Sequence, residues 1–274
     1  MKNFCKKIVV NARPISQIII IVIAFLLPII LDFTGLFTPP DDTVSVDIKH
    51  NLLVILWSYG NIAIGFAFSI TVLFLMRKFN KDVSFNHGNT YKDYPFFWYW
   101  FCSKVLGYEK CNLVLVPIHL QFKLVLNDTF KEYFWENIET HEDIKFTKDK
   151  RNMTVVSNEI NIVIADTYPI EKKQLPQNKK GNPTIWISRD KELVNCRYYS
   201  NKFVDAVINA VKENENTYKT INIFATTNPE STFNVCRKAI KSGDRSSFDK
   251  VIVFQQDSDG IRKFKPKGKT VYKR

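Results

Sequence analysis

Two uncharged stretches near the amino terminus decide how this chain is built: residues 15–31, ISQIIIIVIAFLLPIIL, and residues 52–76, LLVILWSYGNIAIGFAFSITVLFLM. A bilayer core about 30 Å thick needs about 20 apolar residues in a helix rising about 1.5 Å each, and in lipid only a helix or a closed barrel satisfies every backbone polar group. Both stretches read as membrane-spanning helices. The first reaches full length only by running on through Phe33, Leu36 and Phe37, whereas the second is long enough to tilt. A cleaved signal sequence is the rival for the first, given Lys2, Lys6, Lys7 and Arg13 before it. The run exceeds a usual apolar leader, however, and no small-x-small cleavage pattern follows.

Charge sets the expected orientation. Basic residues precede the first span and follow the second (Arg77, Lys78, Lys81), while the connecting loop carries Asp32, Asp41, Asp42 and Asp47 against Lys49. Lysine and arginine bias towards the cytoplasmic side predicts both termini inside. The chain then divides into a basic N-terminus (1–14), a first span (15–37), an external loop (38–51), a second span (52–76), an aromatic membrane-proximal segment (77–112), a cytosolic α/β domain (113–260) and a basic tail (261–274). Cys5, Cys102, Cys111, Cys196 and Cys236 are odd in number and form no CxxC, as expected of reduced thiols.

Tyr91, Tyr94, Phe96, Phe97, Trp98, Tyr99, Trp100 and Phe101 crowd one short segment. Either Pro95 to Leu106 is a helix lying in the headgroup layer, or these rings are the first core element of the cytosolic domain. Residues 113–118 and 120–126 read as strands, Asn127 or Asp128 as the cap of a helix through Glu136, and 139–152 as a loop. Strand signals follow at 153–156, 160–165, 184–188, 221–225 and 251–254. Helices are expected after Ser200 and Ser231. The alternation of strand and helix favours an α/β fold with a mostly parallel sheet flanked by helices.

Open sheets of that kind bind ligands beyond the carboxyl ends of their strands. Three strand ends run into polar residues: Asp166-Thr167-Tyr168, Thr226-Thr227-Asn228 and Gln255-Gln256-Asp257. Asp166, Thr226, Thr227, Asn228 and Gln256 are therefore the expected ligand rim. In the second span, Ser58 and Asn61 form the expected polar seam. An asparagine in lipid seeks a partner from a second copy, giving a homo-oligomer, or from the first helix of its own chain.

Catalytic signatures are sparse. GxGxxG, Walker A, GxSxG and HExxH are all absent, and nine glycines in 274 residues leave little for a phosphate-cradling loop. No catalytic residue, cofactor or metal is expected. Cys102, Cys111 and His119 lack ligand spacing, and an Asp166/Asp257 carboxylate pair is less expected than two surface turns. The formal charge of +12 is concentrated in Arg262, Lys263, Lys265, Lys267, Lys269, Lys273 and Arg274. With Pro266 and Gly268 among them, these read as an extended, mobile tail that is simply solvated, touches anionic lipid, or meets a nucleic-acid or nucleoprotein trigger.

A short basic N-terminus, two helices joined by a brief external loop and a soluble part of about 200 residues resemble the two-transmembrane effectors of bacterial anti-phage systems, including those linked to retrons and to cyclic-nucleotide signalling. The resemblance lies in architecture and implies an inner-membrane protein whose soluble part senses a trigger and whose helices then damage the membrane. It departs from the cyclic-nucleotide examples with a short β-barrel sensor, because the last 90 or so residues alternate strand with helix. A membrane-anchored enzyme acting on a nucleotide or sugar phosphate, and a non-catalytic scaffold, are the alternative readings.

Overall fold

The computed structural model describes residues 11–37, 40, 47–86, 90–136, 138–142, 145–190, 198–241, 248–257 and 260–274. The expected acidic pair Asp41 and Asp42, the lysines before Asn11, and Cys5, His87 and Cys196 lie outside them. The chain divides into two compact units, residues 1–90 with 100–110, and residues 91–99 with 111–274.

The first unit is built on α1 (Ala12–Ile30) and α2 (Ile48–Asn80), both long and apolar enough to cross a membrane. They pair antiparallel. Ser69 Oγ donates to Ile21 O at 3.2 Å, Phe25 and Phe66 meet edge to face at 5.0 Å, and Phe33 meets Phe68 at 6.1 Å. Gly65 lies against the Phe25 carbonyl, where any side chain would collide. Outward-facing residues remain bare, Ile30 being 73% exposed, which suits a lipid solvent. β1 (Ser84–Phe85) follows the hairpin.

A polar clasp closes the end of the hairpin where both helices carry their basic residues. Gln17 and Asn80 exchange amide hydrogen bonds at 2.8 and 3.1 Å, Asn80 Nδ2 donates to Leu106 O at 2.7 Å, and Tyr108 OH donates to Gln17 Oε1 at 3.1 Å. Arg77 Nη1 donates to Lys104 O at 2.5 Å and Val105 O at 2.9 Å, satisfying carbonyls that end α3 (Phe96–Lys104). Gly107 adopts φ +81° beside Arg77, whose Cα would lie 2.9 Å from an added Cβ.

The rings of the aromatic segment differ in burial. Tyr94 and Tyr99 are buried, with Tyr99 OH donating to Lys92 O at 2.7 Å, while Phe97 and Trp100 face outward.

In the second unit come β2 (Lys110–Asn112, beginning one residue before this unit), α4 (Ile118–Leu126), β3 (Glu132–Phe134), β4 (Phe146–Arg151), β5 (Glu159–Ala165), β6 (Thr184–Arg189), α5 (Asn201–Lys212), β7 (Thr220–Ala225), α6 (Pro229–Val235, widening into a π turn over Cys236–Ile240), β8 (Lys250–Phe254) and β9 (Lys269–Lys273). Six strands form one sheet in the order β4-β6-β5-β7-β8-β9. The inner four are parallel and each edge strand is antiparallel to its neighbour. Asn161 faces Asn222 in register, and their side chains bond at 3.2 Å, a polar pin against strand slippage. One face of the sheet packs Val163, Ala165, Trp186, Phe224 and Phe254 with Ile170, Leu175 and Phe264 from connecting segments. Helices lie along the sheet as well, α4 beside β8 and β9 and α5 beside β6.

Several expected elements change type. Residues 120–126 are helical because the Pro117 carbonyl accepts from both Leu120 N and Gln121 N at 2.9 Å, starting a helix where the alternation of apolar residues reads as a strand. Asn127 ends that helix, donating its side chain to Lys123 O at 2.6 Å, so the expected cap does not open a helix and 132–134 is a strand. Residues 146–151 form a charged edge strand in place of a loop, and Asn152 turns the chain with φ +55° where a strand over 153–156 was expected. Leu115, at φ +60°, likewise interrupts the expected strand over 113–118. Nor is the tail an extended free end: Lys269–Lys273 pairs with β8, and Gln256 bridges to Phe264.

Candidate functional site

The candidate rim residues all sit at the carboxyl ends of β5, β7 and β8, and the structure sorts them into a buried clamp and two hollows. Asp166 Oδ1 lies 2.5 Å from Arg189 Nη2, both side chains being nearly fully buried. Thr226 Oγ1 accepts from Asp166 N at 3.2 Å and donates to Tyr168 O at 2.7 Å, and Thr167 Oγ1 donates to Thr226 O. Asn228 accepts from Ser231 N at 2.8 Å, capping α6, and its Nδ2 donates to Tyr198 O at 3.3 Å. Asp166, Thr226 and Asn228 thus tie neighbouring strand ends together. Burial pushes the Asp166 carboxyl up from 3.8 to about 6, against the pull of the Arg189 guanidinium and of bonds from Ser231 and Asn228.

Beside this clamp is a hollow of about 460 Å³, bordered by Thr167, Tyr168, Thr227 and Asn228 from the strand ends, by Gln121 from α4, and by Trp135, Glu136, Glu139 and Tyr198. Gln256 belongs elsewhere. It borders a larger hollow of about 1010 Å³ whose walls are aromatic (Tyr91, Tyr94, Phe96) and basic (Lys123, Arg262, Lys265, Lys267, Lys269), with Asp93 and Asp257 the only carboxylates among the described residues. Tyr168 borders both hollows, and the Arg262 guanidinium stacks over its ring at 4.6 Å. Lys123 Nζ lies 4.5 Å from the centre of the Phe96 ring. Burial lowers the pKa of His119, whose Nδ1 lies 3.2 Å from Gln255 Oε1; that contact puts the proton on Nδ1.

Five cations against two carboxylates, mixed with four aromatic rings, make the larger hollow suited to an anion that also offers flat apolar surface. The small hollow is aromatic and acceptor-rich. Asp166 and Asp257 each sit with a cation, Arg189 and Lys265 respectively. Among the described residues no three metal-ligating side chains converge, and Cys102, Cys111 and Cys236 are buried. In the first unit, Asn61 Nδ2 donates to Asp32 Oδ1 at 2.8 Å and its Oδ1 accepts from Thr34 N at 2.9 Å. The asparagine's partner is therefore in its own chain, and Ser58 lies exposed. Arg189, Gln121, His119 and the rings at 91–96 were not among the expected site residues; their placement depends on contacts across the sheet.

The sequence pattern of the SMODS- and Ubiquitin system-associated 2TM effector domain family matches residues 1–272. The chain belongs to this family. Membership makes the 2TM effector domain a membrane-associated effector and accounts for the pair of long apolar helices. No curated protein matches it. Among solved structures, the Acinetobacter baumannii Cap4 SAVED/CARF-domain containing receptor with the cyclic trinucleotide 3'3'3'-cAAA is similar at 10% identity and a TM-score of 0.45, over 79% of this chain and 59% of that one. The same receptor with 2'3'3'-cAAA gives 10% identity and a TM-score of 0.45, over 81% of this chain and 60% of that one. The 2TM effector domain thus spans about three fifths of the length of those receptors.

Proposed function

We propose that this 2TM effector domain is an antiviral, abortive-infection effector of the bacterial inner membrane: its α/β domain, in the cytoplasm with both termini, binds a nucleotide signal, and its helical hairpin then breaches the bilayer. The observation that carries the reading is the basic, aromatic hollow of about 1010 Å³ at the carboxyl edge of the sheet. Lysines hold phosphates through charge-assisted bonds worth about 1.5–3 kcal/mol each, and tyrosine and phenylalanine faces take bases. A concave site of this size fits a small signal better than a nucleic-acid strand, and the basic tail forms part of its wall. Bare lipid-facing flanks on α1 and α2 allow several hairpins to assemble into a lesion, without drawing on Asn61, whose amide is already engaged. No residue is assigned a catalytic part.

The test is calorimetric titration of the detergent-solubilised chain with cyclic di- and trinucleotides. The tightest of them should lose at least about tenfold in affinity in Lys265→Glu/Lys269→Glu, and more at low salt than at high. Unchanged affinity in that variant would remove the basic hollow from the account.

A further inference from the structure

The smaller hollow is unusual in what its polar groups still have to offer. Gln121 is 6% exposed and spends both amide hydrogens on backbone carbonyls, Leu113 O at 3.3 Å and Val116 O at 2.8 Å. Two carbonyl partners admit only the nitrogen on that side, so the side-chain oxygen is fixed on the other, where it has no partner. The remaining side-chain donors are consumed in the same way. Asn228 Nδ2 serves Asp166 and Tyr198 O; Thr167 Oγ1 serves Thr226 O; and Thr232 donates to Asn228 O, so Thr227 gives its hydrogen to Thr232 at 2.7 Å. The Trp135 indole is bonded to Glu230. Tyrosine hydroxyls aside, the unspent polarity that the described residues give the hollow is acceptor, the Gln121 oxygen and the Glu136 carboxylate, beside a Glu139 carboxylate that lies 3.6 Å from His141 Nε2.

A buried acceptor with no partner forfeits its hydration without recompense, so this hollow favours a ligand that brings a donor. It lies against the basic hollow through Tyr168, and its aromatic border of Trp135, Tyr168 and Tyr198 suits a flat, two-ring group. We infer that it is the base-reading subsite of the nucleotide signal, selecting a purine that carries an exocyclic amine, with Gln121 as the specificity-determining residue. This rests on the nucleotide reading above and adds the identity of the base.

The experiment uses the full chain in detergent and three probes: AMP, GMP and purine riboside monophosphate, which carries no exocyclic amine. The tighter of AMP and GMP should bind about tenfold or more better than the amine-free probe, the gap expected for one buried acceptor. Gln121→Met should bring that ratio close to one. The ratio on the unaltered chain stands even if Gln121→Met does not fold. Equal affinities for all three probes, each weakened by Lys265→Glu/Lys269→Glu, would overturn the base-reading subsite and leave the nucleotide reading intact. Failure of every probe to bind would overturn both.

Discussion

Arg189→Met isolates the buried pair that ties the ends of β5 and β6 beneath the two hollows. The substitution keeps an aliphatic chain near Phe203, whose ring the guanidinium stacks on at 5.4 Å, but removes the charge 2.5 Å from Asp166 and the bond to Tyr198 O. Breaking one side of a buried pair costs about 3–5 kcal/mol, because the other charge stays buried. For a domain of this size that lowers the midpoint of thermal unfolding by about 10 °C at pH 8. The pH dependence has a definite sign. Asp166 titrates at about 6 when folded, above its ordinary 3.8, so its contribution to stability is complete below about pH 4 and is lost as pH rises through 6. Without Arg189 the folded value rises further and the loss runs to higher pH. The gap between parent and Arg189→Met should therefore be wide at pH 8 and narrow at pH 5, where the carboxyl takes a proton. Arg189→Met/Asp166→Asn should recover most of the loss. Thermal melts of the solubilised chain followed by tryptophan fluorescence read all three; a shift below about 2 °C at pH 8, or a gap that widens on acidification, would refute the reasoning.

Gly65→Leu should force α1 and α2 apart at Phe25, costing on the order of 1–3 kcal/mol, seen as lost disulfide cross-linking between cysteines placed at Ile21 and Ser69. Asn80→Leu removes the bonds to Gln17 and Leu106 O and should lower hairpin stability by about 1–3 kcal/mol in thermal melts of the solubilised chain; no change would mean the clasp is idle.

The spans were legible because charge-free runs of that length have few other fates, and α5 because Ser200 caps it and Phe203, Val204, Val207, Ile208 and Val211 share one side. Strands β5, β7 and β8 were legible as short apolar runs ending in polar triplets. Legibility failed where local pattern and tertiary pairing disagree. Leu120, Phe122 and Leu124 alternate like a strand, but all are buried in a helix opened by the Pro117 carbonyl. Lys269–Lys273 has one buried residue, Val271, and looks solvated; only pairing with β8 makes it a strand. The candidate rim shows the same limit. Asp166 and Asn228 could be placed at strand ends, yet that Asp166 faces Arg189 while Gln256 opens on a different hollow follows from sheet order, β6-β5-β7-β8, which no local signal encodes.

In the function proposed here, occupancy of the basic hollow drives the helices to breach the membrane. Its most direct test is a single-cell reading of membrane potential after phage challenge, in bacteria expressing the parent chain or Lys265→Glu/Lys269→Glu at equal membrane levels. Cells with the parent should depolarise before lysis, and cells with the variant should hold their potential. Depolarisation that is equal in both, or absent from both, would contradict it.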